Sequence, residues 1–188
     1  MYETSQFRKG LKIELDGVPF TIVDFQFVSP GKGGAFVRTK LKNLLKDTVI
    51  ERTFKSGDKV DRPDLDLKEV QFLYKDESHY TFMDQSNYEQ ILLDTEVLGE
   101  AVNFIHENLV VQVLFHNGRA IGCELPNSVI MKIVETDPGF KGDTVSGATK
   151  NAKVETGHTV QVPLHLKEGD TIKIDTRDGK YIEKVNLK

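Results

Sequence analysis

The chain has 188 residues, with 25 Lys or Arg against 29 Asp or Glu, a formal net charge of −4 and an apolar content of 38%. The apolar content is too high for a disordered chain, and the acidic balance excludes attraction of the whole molecule to nucleic acid. The longest apolar-dominated segment, residues 109–115, is too short to cross a bilayer. The polar N-terminus and the single cysteine, Cys123, favour a cytoplasmic protein without membrane contact.

Strand signals dominate from one end of the chain to the other. Short alternating runs occur at 12–15, 48–54, 68–74, 79–83, 129–134, 159–164 and 171–175. Two-residue hairpin turns are predicted at Asp16-Gly17, Asn117-Gly118 and Asp178-Gly179. The only fair helix candidate spans residues 99–107. Many short strands separated by turns favour an all-β protein built of barrels or sandwiches.

One hairpin is predicted in more detail. Val23, Phe25 and Phe27 alternate with polar residues, and residues 36–41 alternate in the same way. This period of two is typical of half-buried strands. We therefore expect two such strands joined by the loop between them.

That loop places one cation among residues that have little or no side chain. Pro30 fixes one backbone angle, and the glycines permit left-handed conformations and close approach of another backbone. The loop does not match the phosphate-binding motif, which needs four residues between its glycines, Ser or Thr after the lysine, and a helix to follow. The hypothesis is that Lys32 reaches a partner, and an ordinary exposed turn is the alternative. The loop consists of Ser29, Pro30, Gly31, Lys32, Gly33 and Gly34.

Charge divides the chain into three parts. The net charge is +3 over residues 1–64, −8 over residues 65–127 and +1 over residues 128–188. Polar breaks that contain proline lie at both boundaries, so we predict three small β-barrel domains with these limits. Local basic residues of the first domain either contact RNA or form a solvated edge; they are Arg8, Lys9, Arg38, Lys40, Lys42 and Lys46.

Residues 136–152 are rich in Gly and Thr and show no strand periodicity. Long loops of this kind are functional or mobile, so the segment is a second candidate contact site or a flexible loop. Elsewhere, the five histidines show no metal-site spacing, and Cys123 fits a buried or half-buried strand position better than a nucleophile. We expect no metal, and nothing indicates an enzyme.

Several segments together resemble a known family. The most specific are Pro-Gly-Lys-Gly at 30–33, continued by Ala-Phe-Val-Arg at 35–38, and Asp-Thr-Arg-Asp-Gly-Lys-Tyr at 175–181. With residues 1–7, 17–20, 142–144 and 159–164, in this order and spacing, they resemble bacterial translation elongation factor P over the whole chain.

The resemblance implies an L of three β-barrels, an N-terminal SH3-like (KOW-type) domain followed by two OB-fold domains. It implies a non-enzymatic factor, expected to act as a monomer. Such a factor binds the 70S ribosome between the P and E sites, orients peptidyl-tRNA and relieves stalling at consecutive prolines. Lys32 would approach the CCA end beside ribosomal RNA. A loop of Gly142, Asp143 and Thr144, with Tyr181 nearby, would face the small subunit and the exit-site codon.

The resemblance implies no cofactor, but it implies that Lys32 can be extended covalently by a modifying enzyme, for instance by β-lysylation or an aminopentanol group. A second class of function stays open, because OB-folds also serve as general single-stranded RNA- or DNA-binding proteins. The acidic middle third, with three cations, argues against that alternative. An enzyme ranks third.

Overall fold

The computed structural model describes residues 1–139 and 147–187. Strands make up most of this part, and none of its helices is long and apolar enough to span a membrane. The strands within the described residues are β1 (Tyr2–Glu3), β2 (Lys12–Leu15), β3 (Val18–Val28), β4 (Phe36–Asn43), β5 (Val49–Lys55), β6 (Lys59–Val60), β7 (Leu65–Lys75), β8 (Tyr80–Asp84), β9 (Gln90–Leu93), β10 (Val110–His116), β11 (Arg119–Glu124), β12 (Ser128–Thr136), β13 (Thr149–Val154), β14 (Thr159–Pro163), β15 (Thr171–Asp175) and β16 (Tyr181–Val185).

Helical structure is confined to short segments. One 3₁₀ turn covers Thr4–Gln6, the helix α1 covers Thr95–Leu98, and a second 3₁₀ segment follows directly at Gly99–Asn103. The Asp94 side chain caps α1 by accepting a hydrogen bond from the Val97 amide. The predicted helix over 99–107 is therefore wrong in type and extent, since Gly99 adopts φ +55° and interrupts the α-helix.

The chain divides into two compact units. The first comprises Met1–Asp66 together with Leu114–Gly122, and the second comprises Leu67–Val113 together with Cys123–Lys188. The first unit holds a four-stranded antiparallel sheet in the order β2-β3-β4-β5 and the two-stranded pair β1-β6. Its core consists of Phe7, Leu11, Ile13, Phe20, Ile22, Val37, Leu41, Phe54 and Val60.

Two five-stranded sheets complete the described chain, one in the order β11-β10-β7-β8-β9 and one in the order β14-β13-β12-β15-β16. In the second of these, buried residues alternate with exposed ones along β12, as expected for a sheet with one covered face. Its core consists of Phe104, Val129, Met131, Ile133, Ala152, Val154, Val160, Val162, Leu166, Ile172 and Ile174.

Two of the predicted two-residue hairpin turns are present. Asp16 and Gly17 have φ values of 51° and 77°, and Asn117 and Gly118 have 50° and 79°. Positive φ at both central residues is the type I′ geometry that favours two-residue hairpins, so these two predictions are confirmed.

The third predicted hairpin turn is wrong in length. β15 and β16 are joined by residues 176–180, and within this loop only Gly179 has positive φ, at 74°. The amide of Gly179 donates to Asp175 O, and the amide of Asp175 donates to Lys180 O. These bonds close a wider loop than a two-residue turn allows.

The absence of strand structure predicted for residues 136–152 is wrong at both ends of that segment. β12 continues to Thr136, and β13 begins at Thr149. Along β13 only Ala152 and Val154 are buried, and they alternate with exposed polar residues. Because so few residues of this strand are apolar, its sequence shows no strand period.

Candidate nucleic-acid interface

The Lys32 loop connects the paired ends of β3 and β4. Val28 lies opposite Phe36 in the ladder, and residues 29–35 between them are all exposed. The amide of Ser56 donates to Ala35 O at 2.9 Å, which ties the base of the loop to the chain that follows β5. The ladder and this bond hold the loop at the end of a long antiparallel hairpin.

Lys32 itself is free. Its side chain makes no hydrogen bond or ion pair with any described residue, and the residue is exposed. Long cationic side chains usually find solvent or a partner, and residues 1–139 and 147–187 supply no partner here. The ammonium group is therefore available to an external partner.

The glycines around Lys32 fall into two kinds. Gly33 has φ +92°, a conformation that favours glycine, whereas Gly31 and Gly34 are not in that region. A Cβ added at any of the three would have no atom within 4 Å. The protein's own packing thus does not require glycine at Gly31 or Gly34, and a loop without side chains leaves room for something outside it.

A shallow groove lies on the outer face of the same hairpin. Its volume is about 450 Å³, and its lining comes from β3, β4 and β5. Two rows of paired residues cross this face: Gln26, Arg38 and Thr53 form one, and Asp24, Lys40 and Glu51 form the other.

The two rows differ in electrostatics. Lys40 lies between two acids, whereas the strand neighbours of Arg38 are neutral and polar. The Arg38 guanidinium lies 5.4 Å from the centroid of the Phe36 ring, which orients it without neutralising it. Arg38 is consequently the cation on this face best placed to bind a phosphate group.

The six predicted basic residues are only partly brought together. Arg38, Lys40 and Lys42 alternate along β4 and so share one face. Lys42 Nζ lies 3.0 Å from Asp47 Oδ1, and Lys9 Nζ lies 3.8 Å from Asp24 Oδ1. Exposed pairs of this kind contribute little to stability and leave both cations accessible.

The second predicted contact site, residues 136–152, falls only partly within the described residues. Gly142, Asp143 and Thr144 lie outside them. Tyr181 is half-buried at the start of β16 and packs against the core of its sheet.

The turn before Tyr181 is fixed by an ion pair. Asp175 Oδ2 accepts from Arg177 Nη2 at 2.7 Å, and Asp175 Oδ1 accepts from the Arg177 amide and from Nε. These bonds, led by those from the Arg177 side chain, lower the pKa of Asp175 to about 2.

Catalytic and metal chemistry find little support in the described chain. Cys123 is half-buried on β11, and burial raises the pKa of its thiol to about 11, which opposes reactivity. Across residues 1–139 and 147–187, no group of three His, Cys, Asp or Glu side chains is arranged to hold a metal ion.

Sequence reasoning missed the setting of Phe27. The pairing of β3 with β4 shifts between Ile22 and Asp24, and through this β-bulge Phe20 and Ile22 before it and Phe25 after it all contact the core. Val23, at the bulge, is 38% exposed, and Phe27 is 55% exposed although it lies on the same side of β3 as Phe25, so the predicted burial of both is wrong. The switch of apolar positions from Phe20 and Ile22 to Phe25 is the sequence signal for the bulge.

Three family models match the chain in succession. The "Elongation factor P (EF-P) KOW-like domain" matches residues 3–60, the "Elongation factor P (EF-P) OB domain" matches residues 65–123, and "Elongation factor P, C-terminal" matches residues 129–184. The chain is also 55% identical over 188 residues to "Elongation factor P" of Bdellovibrio bacteriovorus, covering 100% of both proteins. The chain belongs to the elongation factor P family.

The relative from Moorella thermoacetica is 53% identical over 184 residues, 98% of this chain and 100% of that protein.

Solved structures agree with this assignment. The chain is similar to "Eukaryotic translation initiation factor 5A from Methanococcus jannaschii", with a TM-score of 0.54 and 25% identity, covering 63% of this chain and 88% of the other. A similar protein from Naegleria fowleri, with 16% identity and a TM-score of 0.53, supports the fold alone and covers 66% of this chain and 96% of the other. The all-β fold class with KOW-like and OB domains is confirmed. As a member of the elongation factor P family the chain is a translation elongation factor, and such factors are not enzymes.

Proposed function

We propose that this elongation factor binds the 70S ribosome between the P and E sites, orients peptidyl-tRNA and relieves stalling at consecutive prolines. The observation that carries the proposal is the free, exposed ammonium group of Lys32 on a loop in which a Cβ at Gly31, Gly33 or Gly34 would have no neighbour. A narrow cationic tip of this kind suits a crevice of ribosomal RNA that also holds the CCA end of the tRNA.

The mechanism is positioning rather than chemistry by the factor. Proline restricts the backbone and is a poor partner in peptide transfer, so holding the peptidyl-tRNA end in a reactive geometry lowers the entropic part of the barrier. Lys32 donates charge-assisted hydrogen bonds to the CCA backbone, and the ribosome remains the catalyst.

Further contacts fix the orientation of the bound factor. In this proposal Arg38 and its neighbours in the outer groove contact phosphates of tRNA or ribosomal RNA, which set position without reading sequence. Gly142, Asp143 and Thr144, with Tyr181, face the small subunit.

Covalent extension of Lys32 belongs to the same proposal. An exposed lysine on an open loop is accessible to a modifying enzyme, and a β-lysyl or aminopentanol group would lengthen its reach. Mass spectrometry of the native tryptic peptide that contains Lys32 tests this: a mass increase of the expected group supports it, and an unmodified peptide in every preparation contradicts it.

A general single-stranded RNA- or DNA-binding protein is the second candidate, on the grounds of the OB domain. The net charge of −8 over residues 65–127 opposes it, because sequence-independent binding relies on phosphate neutralisation. Binding to free RNA oligomers as tight as to ribosomes would favour this candidate.

The experiment that tests the proposed function is reconstituted translation of two messages that differ only in a Pro-Pro-Pro stretch. We expect the purified chain, carrying its native Lys32 modification if one is found, to speed synthesis through the prolines and to leave the control message unchanged. An equal effect on both messages, or no effect on either, would contradict the proposal.

A further inference from the structure

An aromatic pair lies on the hairpin stem below the Lys32 loop, and of its two members Phe25 is among the residues that line the Arg38 groove whereas Phe27 is not. Phe25 and Phe27 make a T-shaped contact with ring centroids 5.6 Å apart and an interplanar angle of 85°. Phe25 is half-buried and packs against the core of the sheet, whereas Phe27 is 55% exposed. Phe25 therefore anchors the pair and Phe27 presents a ring to solvent.

The exposure of Phe27 follows from the way β3 is paired. Phe27 lies opposite Val37 in the ladder, and Val37 is fully buried. On its other side β3 pairs with β2 from Val18 to Thr21. Next to this pairing the Gly10 amide donates to Ile22 O, and the Ile22 amide donates to Leu11 O. Beyond that point no strand of the described chain pairs with the β2 side of β3, so the Phe27 ring lies near an open edge of the sheet.

The charge of this part of the chain points to the kind of partner. Residues 25–55 hold seven cations and two acids in a chain whose net charge is −4; they are Lys32, Arg38, Lys40, Lys42, Lys46, Arg52 and Lys55 against Asp47 and Glu51. A local excess of cations complements a polyanion. Proteins bind unpaired nucleotides with an exposed aromatic ring against the base and cations against the phosphates, and this hairpin and the strand after it carry both kinds of group.

We propose that Phe27 is a stacking platform for one unpaired base of the RNA that Lys32 contacts. The hairpin then contacts RNA in two ways: Arg38 binds phosphate on the outer face, and Phe27 stacks on a base at the open edge. This inference rests on the proposed function, since it takes the partner of the hairpin to be ribosomal RNA or the tRNA acceptor end. An apolar pocket of another protein is the competing occupant.

Equilibrium binding of the whole chain to 70S ribosomes carrying peptidyl-tRNA in the P site provides the first test. Phe27→Tyr keeps an aromatic ring, and its affinity should stay within about twofold of the wild type. Phe27→Leu keeps apolar bulk without a ring, and it should bind at least about fivefold more weakly, as should Phe27→Ala. Leu92→Ala is the matched control, because Leu92 is 60% exposed on β9, and its affinity should not change.

The second test identifies the partner directly. With p-benzoylphenylalanine at position 27, irradiation of the ribosome complex should cross-link the chain to RNA. Cross-linking to protein alone would overturn the inference, as would wild-type affinity of Phe27→Leu or Phe27→Ala. Lys32→Ala in the Pro-Pro-Pro assay distinguishes failure of the stacking inference from failure of the proposed function. If the Phe27 variants behave as wild type while Lys32→Ala is inactive, only the stacking inference fails. If Lys32→Ala is fully active, the proposed function fails.

Discussion

Glu14 and His116 meet across 102 positions of sequence, with His116 Nε2 2.8 Å from Glu14 Oε1. Glu14 lies on β2 and His116 ends β10, and both belong to the first compact unit. His116 is 7% exposed, and next to it the amide of Asn117 donates to Asp64 O at 3.1 Å. The turn of the β10–β11 hairpin is thus fastened to the N-terminal part of the chain by a buried polar contact.

The Glu14–His116 contact predicts a loss of stability on truncation. Glu14→Ala leaves the buried imidazole without its carboxylate partner, which should lower the free energy of unfolding by about 1–3 kcal/mol. Urea unfolding measures this, with Glu51→Ala as the control, because Glu51 is exposed and forms no ion pair with a described residue. Equal losses in the two variants would contradict the assignment.

Gly33 should be the glycine of the Lys32 loop least tolerant of a side chain. Its φ of +92° is costly for an L-residue, so Gly33→Ala should reshape the loop or destabilise the hairpin by about 1 kcal/mol. Gly31→Ala is the control, since its Cβ would meet open space at a φ outside that region. Urea unfolding and amide chemical shifts of residues 28–36 compare the two variants. A larger effect for Gly31→Ala would show that φ at Gly33 is not the constraint.

Asp175 should titrate well below an ordinary aspartate. Its folded pKa is about 2 against an ordinary value of 3.8, so its contribution to stability is complete above the ordinary value and is lost as the pH falls through 2. NMR titration of the Asp175 carboxyl carbon measures the pKa directly. Arg177→Ala should raise the pKa only part of the way to 3.8, because the amide at position 177 still donates. A wild-type pKa near 3.8 would contradict the geometry.

The Cys123 thiol should react slowly with alkylating agents in the folded chain. A pKa raised to about 11 from 9.0 reduces the thiolate fraction at pH 8 by about a hundredfold, and the thiolate is the reactive species. Alkylation by iodoacetamide at pH 8, followed by mass spectrometry, should be correspondingly slower in the native chain than in urea. Equal rates in the two conditions would show that burial does not protect the thiol.

Much of the fold could be predicted from the sequence, because local chemistry determines it. Asp16-Gly17 and Asn117-Gly118 adopt the positive φ pair that their residue types favour, and β2 and β15 have the predicted bounds. The alternating apolar pattern did not predict β13, because small and polar residues hide the strand period there. It failed again at Gly99, where one left-handed residue replaces a helix by short turns.

The candidate site, too, could be predicted from the sequence only in part. The loop around Lys32 was predictable, because glycine and proline constrain the backbone whatever surrounds them. The exposure of Phe27 was not, since it depends on where β2 stops pairing with β3. The contrast between Arg38 and Lys40 depends on strand register, which long-range pairing decides.

The most direct measurement of the central claim is the rate of synthesis through Pro-Pro-Pro in reconstituted translation with Lys32→Ala in place of the wild type. Lys12→Ala is the matched control, because Lys12 is an exposed cation of the same domain outside the loop, the outer groove and the cationic stretch 25–55. We expect Lys32→Ala to lose most of the stimulation, while Lys12→Ala and the message without prolines behave as with wild type. Full stimulation by Lys32→Ala would contradict the claim that this ammonium group orients the tRNA end.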